Sequence, residues 1–288
     1  MAENDIIPIK RTTVELPDFV AKSAASQKQE TKYPTEIIRL PTKGWFYPTE
    51  NPLSSGEIEI KQMSAKEEDI LANQDLINKG KALDKLIESL VVDKSIDPSQ
   101  ILIPDKNAIF IGIRRLAYGD NYPVKVTCPQ CAGEQQIKID LSKLENKPFN
   151  FDGLPKGQNQ FAFKLPNSGI TITYKFLNQI DELSIDGELT QLKKLSKESS
   201  NELTTRLKYL ITSVDGKFDK SAVRKFVDSP QFSARDSLAL RKHIKENTPD
   251  IDMTFDFKCE DPKGKGCEYE RRSDVPIGAS FLWPDIDD

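Results

Sequence analysis

At 288 residues, 37% of them apolar and 30% charged with both signs mixed, the chain has room for one large domain or two modest ones, each with its own core. Its net charge of −4 gives no global attraction to a phosphate backbone. The single histidine, His243, excludes the HExxH metalloprotease helix and the zinc deaminases, which need an HxE beside their CxxC, and leaves a Ser-His-Asp triad one possible base.

Residues 1–33 carry no hydrophobic periodicity, and AKSAASQKQETKYP is small, polar and charged, so a flexible arm is expected there. The opening MAENDIIPIKRTTVELPDF has no continuous apolar stretch that reads as a signal peptide. No run approaches the roughly 18 to 20 apolar residues of a membrane span. The expected compartment is a cytosol with reduced thiols.

Two short strands, Glu36 to Leu40 and Glu57 to Met63, flank a turn-rich segment holding Gly44, Pro48, Pro52 and Gly56. Within it, Trp45, Phe46 and Tyr47 read either as rings buried in the domain's own core or turn, or as a partner contact. SAKEEDIL then supplies a helix start, with Ser64 and Glu67 as a capping box and Glu67, Glu68 and Asp69 favoured by the potential at a helix N-terminus. Leu83, Leu86, Ile87, Leu90 and Val91 make one apolar stripe. Asp105 is the predicted cap of a third helix, apolar on most sides through Ala108, Ile109, Phe110, Ile111 and Ile113, with Gly119 as its stop.

Farther on, FAFKLPNSGITITYKFL predicts a β-hairpin with PNSG as the turn. Leu203, Leu207, Leu210, Ile211 and Val214 share a face of a predicted helix, and Ser233 with Asp236 caps a last one through Leu240 and Ile244. His243 reads as a surface or helix-end histidine, and KGKG lacks the strand-to-helix setting of a phosphate loop.

The four cysteines form two pairs, Cys128 with Cys131 and Cys259 with Cys267. YPVKVTC and EQQIKIDL flank the first pair, MTFDFKC and CEYERRSDVPI the second, so each pair sits at the tip of a predicted hairpin. Two such tips are the parts of a zinc ribbon, in which four thiolates hold one structural Zn²⁺ tetrahedrally with no open position. The second pair is spaced Cx7C instead of CxxC, and 127 residues separate Cys131 from Cys259. Three other readings stay open: four unligated thiols, a redox CxxC, and a catalytic zinc. Lys263 and Lys265 either offset the charge of a tetrathiolate zinc or are solvated loop lysines.

The expected fold is α+β. A flexible arm (1–33) precedes an N-terminal β/helical module (34–125), the first half of the ribbon (126–151), a β-hairpin and helical insertion (152–250), and the second ribbon half with the C-terminal segment (251–288).

Taken in order, LPTKGWFYP, EIEIKQMSAKEEDIL, LDKLIESLV, DKNAIFIGIRRLAYGDNYPVKVTCPQC, IKIDL, FKLPNSGITITY and the closing FLWP resemble the baseplate hub assembly proteins of T-even-like, contractile-tailed bacteriophages over roughly residues 34–288. The resemblance implies a late phage protein, acting as hub subunit or assembly factor in the host cytoplasm during assembly, with the virion tail baseplate as its location if it is retained. It implies no catalytic residues. Other phage baseplate hub and tail proteins are the expected partners, and nucleic acid, membrane and small-molecule substrates are not expected. A zinc-ribbon nucleic-acid-binding regulator is the alternative, and a zinc hydrolase is disfavoured because no histidine-rich site supports a water-bearing metal.

Overall fold

The computed structural model describes residues 33–195, 201–260, 267–277 and 279–282. The expected arm, apart from Tyr33, lies outside them, as do Lys263, Lys265 and the chain from Trp283 onward.

Strands β1 (Thr35–Arg39) and β2 (Glu57–Lys61) pair antiparallel with Ile38 opposite Ile58. Strict alternation turns Ile38, Ile58 and Ile60 to the core and leaves Ile37 on the outer face, 61% exposed. The connecting loop turns at Lys43 and Gly44, with φ of 51° and 70°. A Cβ at Gly44 would stand 2.5 Å from the Ser54 carbonyl oxygen, so only glycine fits there. The turn drives the aromatic run inward: Phe46 and Tyr47 are 2% and 3% exposed. Phe46 packs edge-on against Phe161 and Phe176, with ring centroids 5.1 and 5.4 Å away, and the half-buried Trp45 donates its Nε1 hydrogen to the Leu154 carbonyl at 3.1 Å. Phe46 and Tyr47 are thus core residues of the chain itself.

Helices α1 (Ala65–Ala72), α2 (Gln74–Asn78) and α3 (Ala82–Leu90) follow. At the start of α1 the buried Glu67 carboxylate accepts the Ser64 backbone N–H at 3.0 Å, and it also accepts Ser89 Oγ at 2.7 Å and Lys61 Nζ at 3.0 Å. Burial opposes its ionisation, but these donors outweigh that and hold its pKa down to about 2. In α3, Leu86, Ile87 and Leu90 are buried, while Leu83 is 39% exposed, so the stripe is narrower than its spacing predicted.

Helix α4 (Ile103–Tyr118) is the central element, buried along Ala108, Ile109, Phe110, Ile111 and Ile113 and ended by Gly119 at φ 84°. Its N-cap is Leu102, with Pro104 in the first turn, which corrects the expectation of Asp105 as cap. Asp105 instead points inward and is fully buried. It accepts the Thr42 N–H at 3.0 Å, the Thr42 hydroxyl at 2.8 Å and the Tyr47 hydroxyl at 2.7 Å. The Tyr47 oxygen in turn accepts the Leu102 N–H at 2.9 Å, so one carboxylate and one phenol fasten the glycine loop to the head of α4.

Strands β3 (Asn121–Thr127) and β4 (Glu134–Asp140) form the next hairpin. Beyond it, β5 (Phe161–Lys164) and β6 (Thr171–Tyr174) pair as predicted, with Phe163 opposite Ile172. Helices α5 (Gln179–Leu195) and α6 (Glu202–Leu210) come next, and there the structure corrects the sequence reading. Ile211 and Val214 do not continue α6 but lie in β7 (Ile211–Val214), a third strand beside β6. Asp215 and Gly216, at φ 47° and 73°, close a two-residue turn in which the Lys217 N–H bonds the Val214 carbonyl at 3.0 Å. The open edge of β6 outcompetes one more helical turn because it satisfies the backbone of a β-branched segment.

Helices α7 (Lys220–Val227) and α8 (Ala234–Glu246) complete this part. Ser233 caps α8 by accepting the Asp236 N–H at 3.1 Å. The buried Asp236 carboxylate accepts the Asn167 and Ser168 N–H groups at 2.8 and 3.1 Å, which ties the helix start to the PNSG turn. Strands β8 (Thr254–Lys258) and β9 (Glu270–Asp274) form the last hairpin, and a short helix α9 (Ala279–Leu282) follows. Among the described residues the architecture is therefore α+β, with helices and small antiparallel sheets sharing one main apolar cluster. No helix among the described residues is long and apolar enough to cross a membrane.

Candidate metal centre

Both cysteine pairs sit where the sequence expects them, in the turns of two hairpins. Thr127 is opposite Glu134 at the end of β3–β4, and Lys258 is opposite Glu270 at the end of β8–β9, so Cys128 and Cys259 each follow directly on a first strand. At the base the hairpins are stitched together by backbone bonds: Lys147 N–H to the Asp250 carbonyl and Asp252 N–H to the Glu145 carbonyl, both 2.7 Å. Phe281 of α9 is buried edge-on against Tyr122 at 5.0 Å, and Tyr122 donates its hydroxyl hydrogen to the Pro276 carbonyl at 2.9 Å. Distant parts of the sequence are thereby held side by side before the tips are reached.

At the tips the four Sγ atoms all lie within 4.8 Å of one another. Cys128 and Cys267 are 3.5 Å apart, Cys131 and Cys259 3.6 Å. A disulfide requires about 2.05 Å. Four sulfurs around a zinc at about 2.3 Å are spaced about 3.8 Å along the edges of the tetrahedron, so the observed separations fit a tetrathiolate ion site. Such a set fills the coordination sphere with sulfur and leaves no position for an activated water.

The two turns differ in length but close alike. The residue after each second cysteine takes a positive φ, 55° at Ala132 and 52° at Glu268. In each, the N–H of the first cysteine bonds the carbonyl two residues past the second: Cys128 to Gly133 at 2.8 Å, Cys259 to Tyr269 at 2.9 Å. The longer Cx7C segment therefore leaves the closing geometry of the turn unchanged.

Burial works against ionisation of Cys128, yet the backbone N–H groups of Cys131 and Gln130 and the neighbouring thiols pull its pKa down to about 7. Burial first, and then the three adjacent sulfurs, push Cys259 upward. Four clustered thiols cannot all ionise unaided, and a divalent cation removes that conflict. A small apolar cluster backs one side of the site: Cys128, Phe257 and Cys259 are buried, Cys267, Val126, Ile137, Phe255 and Tyr269 pack against them, and Cys131 is exposed. CPQC lies in a hairpin turn, not at the start of a helix, so it lacks the dipole that lowers the reactive thiol of a redox CxxC.

Sequence reasoning missed Gln135. From β4 its Nε2 donates to the Lys258 carbonyl at 2.8 Å and its Oε1 accepts the Glu260 N–H at 2.9 Å, on either side of Cys259. Nothing in EQQIKIDL marks this glutamine, because its partners are backbone groups far away in the chain. His243 has no part in the cysteine cluster: it is half-buried on α8, stacked on Phe163 at 4.3 Å, and burial lowers its pKa.

No curated protein and no solved structure matches the chain. Residues 46–274 match the family described as T4 bacteriophage base plate protein, a span that takes in Phe46, Tyr47, α4 and all four cysteines. With well over half of its length matched, the chain belongs to the T4 bacteriophage base plate protein family.

Proposed function

We propose that this chain is a non-enzymatic component of the phage tail that acts in assembling the central baseplate hub, as a hub subunit or an assembly factor. Its split zinc ribbon would hold one structural Zn²⁺ through Cys128, Cys131, Cys259 and Cys267. Family membership supports a baseplate role. The observation that carries the non-catalytic reading is the convergence of four sulfurs within 4.8 Å, a donor set that saturates the ion. When bound, the ion supplies charge neutralisation and a cross-link between hairpins that are far apart in sequence.

In this reading the protein works by presenting folded surfaces to other baseplate hub and tail proteins, in the host cytoplasm during assembly and in the virion tail if it is retained. Co-expression with the hub proteins of its own phage is expected to give a complex that survives size exclusion, and monomeric elution with every candidate would contradict the assembly role. No observation favours the nucleic-acid-binding alternative. A titration with duplex and single-stranded DNA addresses it, since tight binding with a steep salt slope would replace the assembly reading by the regulator.

A further inference from the structure

We infer that the carboxamide of Gln135 is the positioning residue that holds the second cysteine turn in register with the first. This rests on the structural-metal reading of the four cysteines and extends it to a residue outside the ligand set. The strands β3–β4 and β8–β9 are not hydrogen-bonded into one sheet. Their backbone stitches, Lys147 with Asp250 and Glu145 with Asp252, lie at the base. At the tip, Gln135 bonds the Lys258 carbonyl at 2.8 Å and the Glu260 N–H at 2.9 Å.

Those two groups bracket Cys259, so one side chain does for the second turn what a neighbouring strand would do. The orientation of the amide is forced, because only its NH₂ can face a carbonyl and only its oxygen can face an N–H. The effect is to fix the backbone of one ligand from the opposite hairpin, with its thiol 3.6 Å from that of Cys131. A second turn seven residues long needs such an external hold more than the tight CxxC turn does, because a longer loop has more conformations to lose. Alanine at this position leaves both backbone groups unpaired. Glutamate keeps the acceptor but turns a carboxylate oxygen toward the Lys258 carbonyl.

The test uses the full chain and three variants: Gln135→Ala, Gln135→Glu, and Gln136→Ala as a control at the exposed neighbouring position. Zinc affinity is measured by competition with a chromophoric chelator, and exchange of the Glu260 amide is followed in the protein as purified without chelators. Both Gln135 variants are expected to bind zinc about 10- to 100-fold more weakly, the range typical for partners that orient a ligand, with Gln136→Ala unchanged. The Glu260 amide is expected to exchange faster in Gln135→Ala than in the wild type. Unchanged zinc affinity together with unchanged Glu260 exchange would overturn the inference. A wild type that takes up no zinc, while its Glu260 amide still depends on Gln135, would remove the metal reading and support the clamp.

Discussion

Around α4, the side chains of Leu86, Ile87, Leu90, Ile101, Ile109 and Ile113 close on one another with almost no water access, whereas at the tip of the cysteine hairpins the buried set is Cys128, Phe257 and Cys259. The outer strand of that tip, β9, reads ERRSD and is mostly exposed. The body can be held by apolar area alone, at about 25 cal/mol for each Å² buried. The tip has too little such area, and small units of this kind need a staple. Aliphatic side chains set the stability of the body, and in the proposed reading four sulfurs with one glutamine set that of the tip.

The largest expected effect comes from removing the proposed ion. A structural zinc of this type contributes on the order of 10 kcal/mol to folding, so chelation or Cys259→Ser is expected to abolish amide protection over 121–140, 254–260 and 267–274 while α3 and α4 keep theirs. Hydrogen exchange read by mass spectrometry checks it, and uniform loss across the chain would erase the contrast between body and tip. Next in size, Leu90→Ala removes a fully buried side chain from the body. A cost of about 2–5 kcal/mol is expected, measured by denaturant unfolding, with zinc stoichiometry unchanged.

The smallest effect is a pH dependence confined to the body. Burial is the main cause that raises the Asp105 pKa to about 6, with Asp250 adding to it and the donors Tyr47 and Thr42 opposing it. The unfolded carboxyl titrates near 3.9, so the favourable contribution of this group is complete below about pH 4 and is lost as the pH rises through about 6. Between pH 5 and 7 the wild type is expected to lose about 1 kcal/mol through Asp105, a loss that Asp105→Asn does not share. Equal pH profiles for the two proteins would show that the Asp105 carboxylate is not held as its buried contacts require.

Much of this was legible in the chain. The CxxC and Cx7C pairs, each between alternating apolar runs, announced two hairpin tips, and the capping box at Ser64 and Glu67 marked the start of α1. The failures have a common cause, which is that long-range partners overrule local signals. Asp105 looked like a helix cap because aspartate near a helix start usually is one, but three donors from the 42–47 loop draw it inward. Ile211 and Val214 fit a helical face until the free edge of β6 is known, although the Asp215–Gly216 pair was a readable hairpin signal. Leu83 belongs to the apolar stripe by spacing and lies at its solvent edge in the fold. Gln135 carried no signal, since side chain to backbone pairing across hairpins has no sequence pattern.

X-ray absorption at the zinc edge, with elemental analysis of protein purified without chelators, reads the proposed four-sulfur site itself. One zinc per chain surrounded by four sulfurs at about 2.3 Å is the expected result. Clearly substoichiometric zinc, or an ion with oxygen or nitrogen neighbours in place of any of the four sulfurs, would contradict it.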